Sequence, residues 1–275
     1  MSHVSRGRSR VAIAATATAA ALLLAGCGSG DASGTTTVKG GVTLVKPGQL
    51  TVCTHLPDPP FQSERDGEVV GFDVDLIDLV AADLGVKQVI VDGPFETIKT
   101  GAALNARQCD IAAVGMTITE ERKKNLDFSA PYFDADQAVL ARAGTGISTA
   151  DDLKGHKLGS MSSTTGEDYL RGKGLDPQSF VSVDAQLNAL RTGQVDAIVQ
   201  DSPVVTEWLK DPSNAKFRIA LSVRTGEQYG FAVRKGGDGA LLKAVNTALA
   251  DAKADGTYKK LYATWFGAAP GGSPS

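Results

Sequence analysis

Apolar residues occur along the chain in two patterns, the spacing of a helix face and the short runs of buried strands. Phe72, Leu76, Val80 and Leu84 recur at the spacing of one helix face, and Gly85 then provides a residue suited to ending that helix. Short segments rich in apolar residues predict buried strands at residues 50–54, 89–91, 111–114 and 195–199, and residues 157–159 are predicted to begin another strand. Strands that alternate with helices predict an α/β fold, with a mostly parallel sheet covered by helices on both faces.

The second half of the chain repeats the pattern of the first. Helical spacing predicts helices at residues 98–106, 166–170, 185–191 and 241–254. Residues 104–112 and 187–198 share a helix end, a turn, an aspartate and a buried strand. This short similarity indicates two lobes of similar build.

The N-terminal segment has the pattern of an export signal. Arginines at positions 6, 8 and 10 precede an apolar run from Val11 to Leu24, which is shorter than the ~20 residues that span a bilayer. The run ends in Leu24-Ala25-Gly26-Cys27, which resembles the lipobox of bacterial lipoproteins. That resemblance implies a signal peptide over residues 1–26, cleaved before Cys27, and a lipid on Cys27 that anchors the protein to a membrane. The alternative is an ordinary secretory signal followed by a chance cysteine.

The segments that flank the folded part are poor in large apolar residues. Residues 27–48 are rich in Gly, Ser and Thr and predict a flexible tether behind the lipidated cysteine, and residues 268–275 predict a disordered tail. In an exported protein Cys53 and Cys109 either form a structural disulfide, which we favour, or remain two separate buried thiols.

Composition narrows the classes of function. The chain has 275 residues, of which 42% are hydrophobic and 21% charged, as in ordinary globular proteins. Its formal net charge of -3 provides no basic excess for a nucleic acid. The few histidines and cysteines do not have the spacing of a zinc cluster, so we expect neither a metal nor another cofactor.

Candidate chemistry follows the predicted strand at 111–114, where open α/β sheets bind ligands. Gly115 allows close approach of a ligand to the backbone, Thr117 offers a hydroxyl and an N–H, and Thr119 is a good helix N-cap. Arg122, in the first turn of that helix, can return to the same place with a planar fork suited to a carboxylate. The alternative is a surface arginine among charged neighbours.

Two further strand ends carry candidate binding residues. Thr164 and Thr165 precede a predicted helix, where free N–H groups favour an anion, although a plain capped loop is the alternative. Asp201 follows another strand and either caps the next helix or binds a cation. Together these positions form a recognition set for an α-amino acid.

The chain resembles the amino-acid-binding lipoproteins that serve ABC importers, the polar-amino-acid group of periplasmic-type solute-binding proteins. The resemblance covers roughly residues 49–267 and rests on several stretches in the same order. These stretches are Val70-Gly71-Phe72-Asp73-Val74-Asp75-Leu76, Gly115-Met116-Thr117-Ile118-Thr119-Glu120-Glu121-Arg122-Lys123-Lys124, Leu126-Asp127-Phe128-Ser129-Ala130-Pro131-Tyr132, Thr164-Thr165-Gly166-Glu167-Asp168-Tyr169, Val195-Asp196-Ala197-Ile198-Val199, and Ala254-Asp255-Gly256-Thr257-Tyr258 through Trp265-Phe266-Gly267.

The resemblance implies two α/β lobes that close on a ligand about a hinge. Lobe 1 is expected at residues 49–137 and 230–267 and lobe 2 at residues 138–229, with crossing segments near residues 133–142 and 227–232. The implied site pairs Arg122 with the ligand α-carboxylate, helped by Gly115, Thr117, Thr164 and Thr165, pairs Asp201 with the α-ammonium, and lines the pocket with Phe95.

Two positions depart from the family pattern. Asp58 stands where family members often have an aromatic residue, and His55 stands near a position that is often acidic. Both residues favour a ligand with a basic or amide side chain. The alternative for Asp58 is a solvent-facing turn residue among its neighbouring prolines.

The function that these features predict is an extracytoplasmic receptor, anchored to the cell membrane and monomeric, that captures a polar amino acid and delivers it to an ABC transporter permease. An enzyme on the same fold, of dehydratase or peptidoglycan lytic type, is the alternative, because fold does not determine function. The sequence lacks a Gly-x-Ser-x-Gly elbow and a His-Glu-x-x-His pair, which disfavours common hydrolases. An extracellular sensing domain is a third, weaker alternative.

Overall fold

The computed structural model describes residues 35–237 and 239–267. The predicted signal peptide, Cys27 and the tail at 268–275 lie outside the described residues and stay predictions. Among the helices of these two described ranges, none is long and apolar enough to cross a membrane.

Strands and helices alternate along the described residues. The strands are β1 (Thr36–Thr37), β2 (Thr43–Leu44), β3 (Gln49–Thr54), β4 (Ser63–Arg65), β5 (Glu68–Val70), β6 (Lys87–Asp92), β7 (Ile111–Ala112), β8 (Leu126–Phe128), β9 (Phe133–Arg142), β10 (Leu158–Met161), β11 (Gln178–Phe180), β12 (Ala197–Asp201), β13 (Phe217–Tyr229) and β14 (Ala232–Arg234). The helices are α1 (Phe72–Leu84), α2 (Phe95–Lys99), α3 (Ala102–Asn105), α4 (Glu120–Lys123), α5 (Thr165–Gly172), α6 (Val183–Thr192), α7 (Ser202–Lys210), α8 (Gly239–Ala254) and α9 (Thr257–Phe266), with short 3-10 helices at Lys39–Gly41, Asp151–Leu153 and Pro212–Asn214.

Two five-stranded sheets form the centres of two lobes. The sheet of lobe 1 has the strand order β6-β3-β7-β14-β8, and the sheet of lobe 2 has the order β11-β10-β12-β9-β13. In lobe 1, β14 runs antiparallel to both of its neighbours while β3 is parallel to β6 and β7. In lobe 2, β9 is likewise the reversed strand. Each sheet therefore has two parallel and two antiparallel pairs, and four of its five strands run in the same direction. The predicted two-lobed α/β fold is confirmed.

Local sequence signals explain most element boundaries. The helix predicted from Phe72 spans α1 and buries Phe72, Leu76, Val80 and Leu84, and Gly85 ends it in the left-handed region at φ 70°. The helix predicted at residues 98–106 is wrong as a single element. It is divided into α2 and α3 because Gly101 adopts φ 77°, a conformation that no helix continues through.

The flexible tether predicted for residues 27–48 is wrong over its described C-terminal part. Strands β1 and β2 pair with each other there, and the side chains of Val42 and Leu44 are completely buried in the core of lobe 1. These two apolar residues among Gly and Thr are enough to fix the segment, since each buried aliphatic side chain contributes roughly 1.5–3 kcal/mol.

The disulfide favoured from the sequence is present in the structure. Cys53 in β3 and Cys109, just before β7, are bonded with a Cα–Cα distance of 5.5 Å. Both side chains are buried beneath the sheet of lobe 1. The bond links two neighbouring strands whose carboxyl ends carry candidate site residues.

Two short crossing segments connect the lobes and contact each other. The backbone N–H of Ser129 donates to the carbonyl of Phe231 at 2.8 Å, and that of Tyr132 donates to Tyr229 at 3.0 Å. Beyond them β9 and β13 pair from Phe133 and Tyr229 onward, within the sheet of lobe 2. The first crossing thus lies just before the predicted residues 133–142, because β9 already belongs to lobe 2.

Candidate functional site

A cavity lies between the lobes, at the carboxyl ends of strands from both sheets. Residues that follow β3, β6 and β7 line it from lobe 1, and residues at or just after the ends of β10, β11 and β12 line it from lobe 2, as expected for open α/β sheets. The lining residues are His55, Asp58, Gln62, Phe95, Val114, Gly115, Thr117, Arg122, Met161, Thr164, Thr165, Val183, Gln200 and Asp201. All nine predicted ligand-binding residues are among them.

Arg122 is held inside this cavity and is not a surface arginine. The hydroxyl of Thr119 accepts a hydrogen bond from the Arg122 backbone N–H at 3.1 Å and thereby caps α4, as predicted. The side chain is 7% exposed, and its Nη1 donates to the carbonyl of Thr117 at 2.8 Å. Its guanidinium carbon lies 5.4 Å from the ring centre of Phe95, and its Nη2 lies 3.5 Å from the carbonyl of Ser163 in lobe 2. The guanidinium therefore joins the two lobes.

Burial and charge act in opposite directions on Arg122. Burial lowers the pKa of its guanidinium, and the carboxylates of Asp201, Asp168 and Glu227 raise it. Arginine remains charged under such conditions, because its intrinsic pKa is so high. The cavity therefore contains a buried, permanent positive charge with N–H groups to offer to an anion.

Asp201 faces the cavity instead of capping the next helix. It occupies the N-cap position of α7, but its side chain makes no capping hydrogen bond. Its Oδ1 accepts from Nε2 of Gln137 at 2.5 Å, and its Oδ2 accepts from the hydroxyl of Tyr229. Burial and the charge of Glu227 raise the pKa of Asp201 to about 6, against the hydrogen bonds of Tyr229 and Gln137 and the charge of Arg122. A ligand cation that stabilises the ionised form is thus the partner that this carboxyl group favours.

The two predicted threonines of lobe 2 have different tasks. The hydroxyl of Thr164 accepts from the backbone N–H of Glu167 at 3.4 Å, caps α5 and donates to the carbonyl of Met161 at 2.7 Å. The hydroxyl of Thr165 instead donates to Oε2 of Glu227 at 2.7 Å. Thr164 therefore offers the cavity its backbone, and Thr165 its side chain.

The backbone conformation and close neighbours at position 115 favour glycine, which has no side chain. It adopts φ 54°, and a Cβ atom there would lie 3.3 Å from the ring of Tyr229 and 3.5 Å from Oδ2 of Asp58. Its N–H donates to Oδ2 of Asp73 at 2.8 Å, and Oδ1 of Asp73 accepts from the hydroxyl of Tyr132 at 2.6 Å. Burial raises the pKa of Asp73 to about 7, against both of these hydrogen bonds. Asp73 thus connects the cavity wall to the first crossing segment.

Sequence reasoning missed Glu227 and Gln137 as residues of the site. Oε2 of Glu227 accepts from the hydroxyls of Thr117 in lobe 1, at 2.9 Å, and of Thr165 in lobe 2, at 2.7 Å. Nε2 of Gln137 lies 3.3 Å from both carboxylate oxygens of Glu227. Glu227 belongs to a segment predicted to cross between the lobes, and nothing in that segment's pattern indicates that its side chain turns into the cleft.

Asp58 and His55 both face the cavity, so the solvent-facing alternative for Asp58 is wrong. Backbone hydrogen bonds between Asp58 and Gln62, at 2.7 and 3.2 Å, close the tight turn that carries Asp58. Nδ1 of His55 lies 3.0 Å from the carbonyl of Gly93. Among the described residues no group of three or more His, Cys, Asp or Glu is arranged to hold a metal ion.

Several known proteins are similar to this chain in sequence. A probable histidine-binding protein of Neisseria gonorrhoeae is 36% identical over 229 residues, which cover 80% of this chain and 84% of that protein. The ABC transporter arginine-binding protein 1 of Escherichia coli (strain K12) is 36% identical over 217 residues, covering 76% of this chain and 86% of that protein. These relatives are named as binding proteins, which favours a receptor over an enzyme on the same fold.

A solved structure and a family match also relate the chain to solute-binding proteins. The structure of an ancestral arginine-binding protein bound to glutamine superposes with a TM-score of 0.75 at 40% identity, covering 80% of this chain and 99% of that one. Residues 50–268 match the bacterial extracellular solute-binding proteins, family 3. With a family match over most of its length and relatives of similar size, the chain belongs to the bacterial extracellular solute-binding proteins of family 3.

Proposed function

We propose that this protein binds a polar amino acid between its two lobes and delivers it to an ABC importer permease. The observation that carries the proposal is that opposite charges from the two lobes face each other across one cavity. Arg122, which is buried, reaches into it from lobe 1, and Asp201, which is half-buried, reaches into it from lobe 2. A zwitterion bound between them satisfies both charges and holds the lobes together.

Each residue of the cavity has a role in this proposal. Arg122 binds the α-carboxylate with the hydroxyl of Thr117, the hydroxyl of Thr165 and the backbone at Gly115 and Thr164. Asp201 binds the α-ammonium, and Phe95 packs beside the ligand. Glu227, which already accepts from both hydroxyls, keeps these donors oriented in the ligand-free cavity.

The N-terminal signals complete the proposal. Cleavage before Cys27 and acylation of Cys27 place the receptor outside the cytoplasm and tether it to the membrane that holds the permease. Replacement of Cys27 by serine is expected to release the protein from cell membranes. The receptor is proposed to act as a monomer, because each chain contains both halves of the site.

Calorimetric titration of the full chain with each of the twenty standard amino acids tests the binding proposal. At least one is expected to bind, to be recovered unchanged, and to raise the thermal midpoint by an amount that grows with the logarithm of its affinity. The variants Arg122→Ala and Asp201→Ala are expected to lose detectable binding and to remain folded, whereas the matched control Arg224→Ala, at an exposed position, retains it. Near-normal affinity in either site variant would exclude this assignment.

A further inference from the structure

The loop after β3 presents buried hydrogen-bond acceptors to the cavity that have no partner in the protein. These atoms are Nε2 of His55, Oδ1 of Asp58 and Oε1 of Gln62. The side chain of Gln62 is 1% exposed, so water is largely excluded from it. Because an unpaired buried polar atom is costly, such a group within a binding cavity indicates a ligand that supplies the missing donors.

The hydrogen bonding of His55 determines what its free nitrogen offers. Nδ1 lies 3.0 Å from the carbonyl oxygen of Gly93, which can only accept a hydrogen bond. Nδ1 therefore donates to this carbonyl, and in that tautomer Nε2 is an acceptor. All three unpartnered atoms can thus accept hydrogen bonds from N–H or O–H groups of the ligand.

The charges around Asp58 indicate that the ligand's donors are positively charged. Burial raises the pKa of Asp58, and the carboxylates of Asp201, Asp73 and Asp184 raise it further. Among the residues that line the cavity, Arg122 and His55 are the basic ones, and Arg122 already has Asp201, Asp168 and Glu227 as electrostatic neighbours. Among the lining residues no lysine or further arginine is therefore left to pair with the ionised form of Asp58.

We propose that Asp58, together with His55 and Gln62, binds the positively charged end of the side chain of a basic amino acid. This inference rests on the proposed function, in which Arg122 and Asp201 take up the α-carboxylate and the α-ammonium. Asp58 is then the carboxylate left for a second cation on the ligand. A guanidinium or a side-chain ammonium supplies at least three N–H donors, which matches the three unpartnered acceptors.

Pairs of ligands in which one member has a positively charged side chain and the other a neutral one of similar length test the proposal. Calorimetric titration of the full chain with L-arginine and its neutral isostere L-citrulline, and with L-lysine and the neutral L-norleucine, measures the contribution of that charge. The basic member of at least one pair is expected to bind about 30-fold or more tightly, as for a buried charge pair. In Asp58→Asn, whose fold is checked by thermal melting, this preference is expected to fall to within a fewfold. In the matched control Asp66→Asn, at an exposed turn, it is expected to persist.

Other results overturn the inference in distinguishable ways. Equal affinity of the unaltered protein for the charged and neutral members of both pairs excludes a cation subsite, even if the variant fails to fold. Equal weakening of arginine and citrulline by Asp58→Asn shows that Asp58 acts on the α-ammonium instead of the side chain. If no amino acid of any kind binds the unaltered protein, the proposed function itself has failed.

Discussion

The hydroxyl of Tyr229 donates a hydrogen bond to Oδ2 of Asp201. Tyr229 is the last residue of β13, where the chain leaves lobe 2, and Asp201 is the last residue of β12 in the cavity wall. The ring of Tyr229 is fully buried and packs against Phe61 and Phe133. One hydrogen bond thus links the crossing between the lobes to the proposed ammonium site.

Replacing Tyr229 by phenylalanine removes this donor and leaves the ring. Because the hydrogen bond lowers the pKa of Asp201, its loss is expected to raise that pKa and to weaken amino-acid binding near neutral pH. The free energy of unfolding is expected to fall by about 1 kcal/mol, the net contribution of one such bond. Calorimetry and urea unfolding measure the two effects, with Tyr169→Phe, at a half-buried position, as the control. Unchanged affinity would show that Tyr229 does not orient Asp201.

The affinity for an amino acid is expected to depend on pH. The pKa of Asp201 is raised to about 6 in the free protein, whereas a bound ammonium favours its ionised form. Binding must therefore release a proton when the pH is below that pKa. Affinity is expected to be roughly tenfold lower one pH unit below the pKa of Asp201 than one unit above it. Titrations in buffers of different ionisation enthalpy measure the released protons, and proton uptake on binding would contradict the assignment.

The stability of the ligand-free protein is expected to change with pH in the direction set by Asp73. Its pKa is raised from 3.8 to about 7, so between these values the folded state binds more protons than the unfolded state. The contribution of Asp73 to the free energy of unfolding therefore decreases as the pH rises through this window, by about 1.4 kcal/mol for each unit between the two pKa values. Asp201 contributes with the same sign up to about pH 6. Urea unfolding across this range is expected to show a smaller decrease in Asp73→Asn than in the control Asp66→Asn; equal slopes would exclude this role for Asp73.

The disulfide is expected to contribute substantially to stability. Cys53 and Cys109 are 56 residues apart in sequence, and closing a loop of that length restricts the unfolded chain. Removing such a bond typically costs about 2–5 kcal/mol. Urea unfolding of the double variant Cys53→Ala and Cys109→Ala measures the loss. Ligand affinity is the second measurement, because the bond holds β3 and the segment before β7 together, and both strands lead into the cavity.

The sequence predicted the lobes and the charged pair of the site because these depend on local signals. Apolar runs define the strands, and Thr119 and Gly85 define helix ends. Asp201 ends β12 in the sheet of lobe 2, and Arg122 lies on the short helix that follows β7 in the sheet of lobe 1. The features that the sequence did not predict depend on tertiary packing and on local backbone conformation. Val42 and Leu44 fix a segment whose composition is typical of a tether, and Gly101 divides a helix that its apolar spacing predicts as continuous.

The side-chain network of the site could not be predicted from the sequence, because it too depends on tertiary packing. Gln137 and Glu227 lie on strands that are neighbours only after the two crossings have formed. Whether their side chains face the cavity depends on the register between β9 and β13, which contains irregularities near Glu227. A register that shifts by one residue reverses the face on which a side chain lies, so residue type alone does not indicate their role.

Glu227 provides a final test of how the site's charges are coupled. Its carboxylate raises the pKa of Asp201, and its Oε2 accepts from the hydroxyls of Thr117 and Thr165. In Glu227→Gln the amide oxygen still accepts from both hydroxyls, but the negative charge is removed. The pKa of Asp201 is then expected to fall, so the pH at which affinity is half lost moves downward relative to the unaltered protein. The exposed substitution Glu68→Gln is expected to leave this midpoint in place. If both variants have the same midpoint as the unaltered protein, the charge of Glu227 is not coupled to Asp201; if affinity is instead lost at every pH, Glu227 binds the ligand directly.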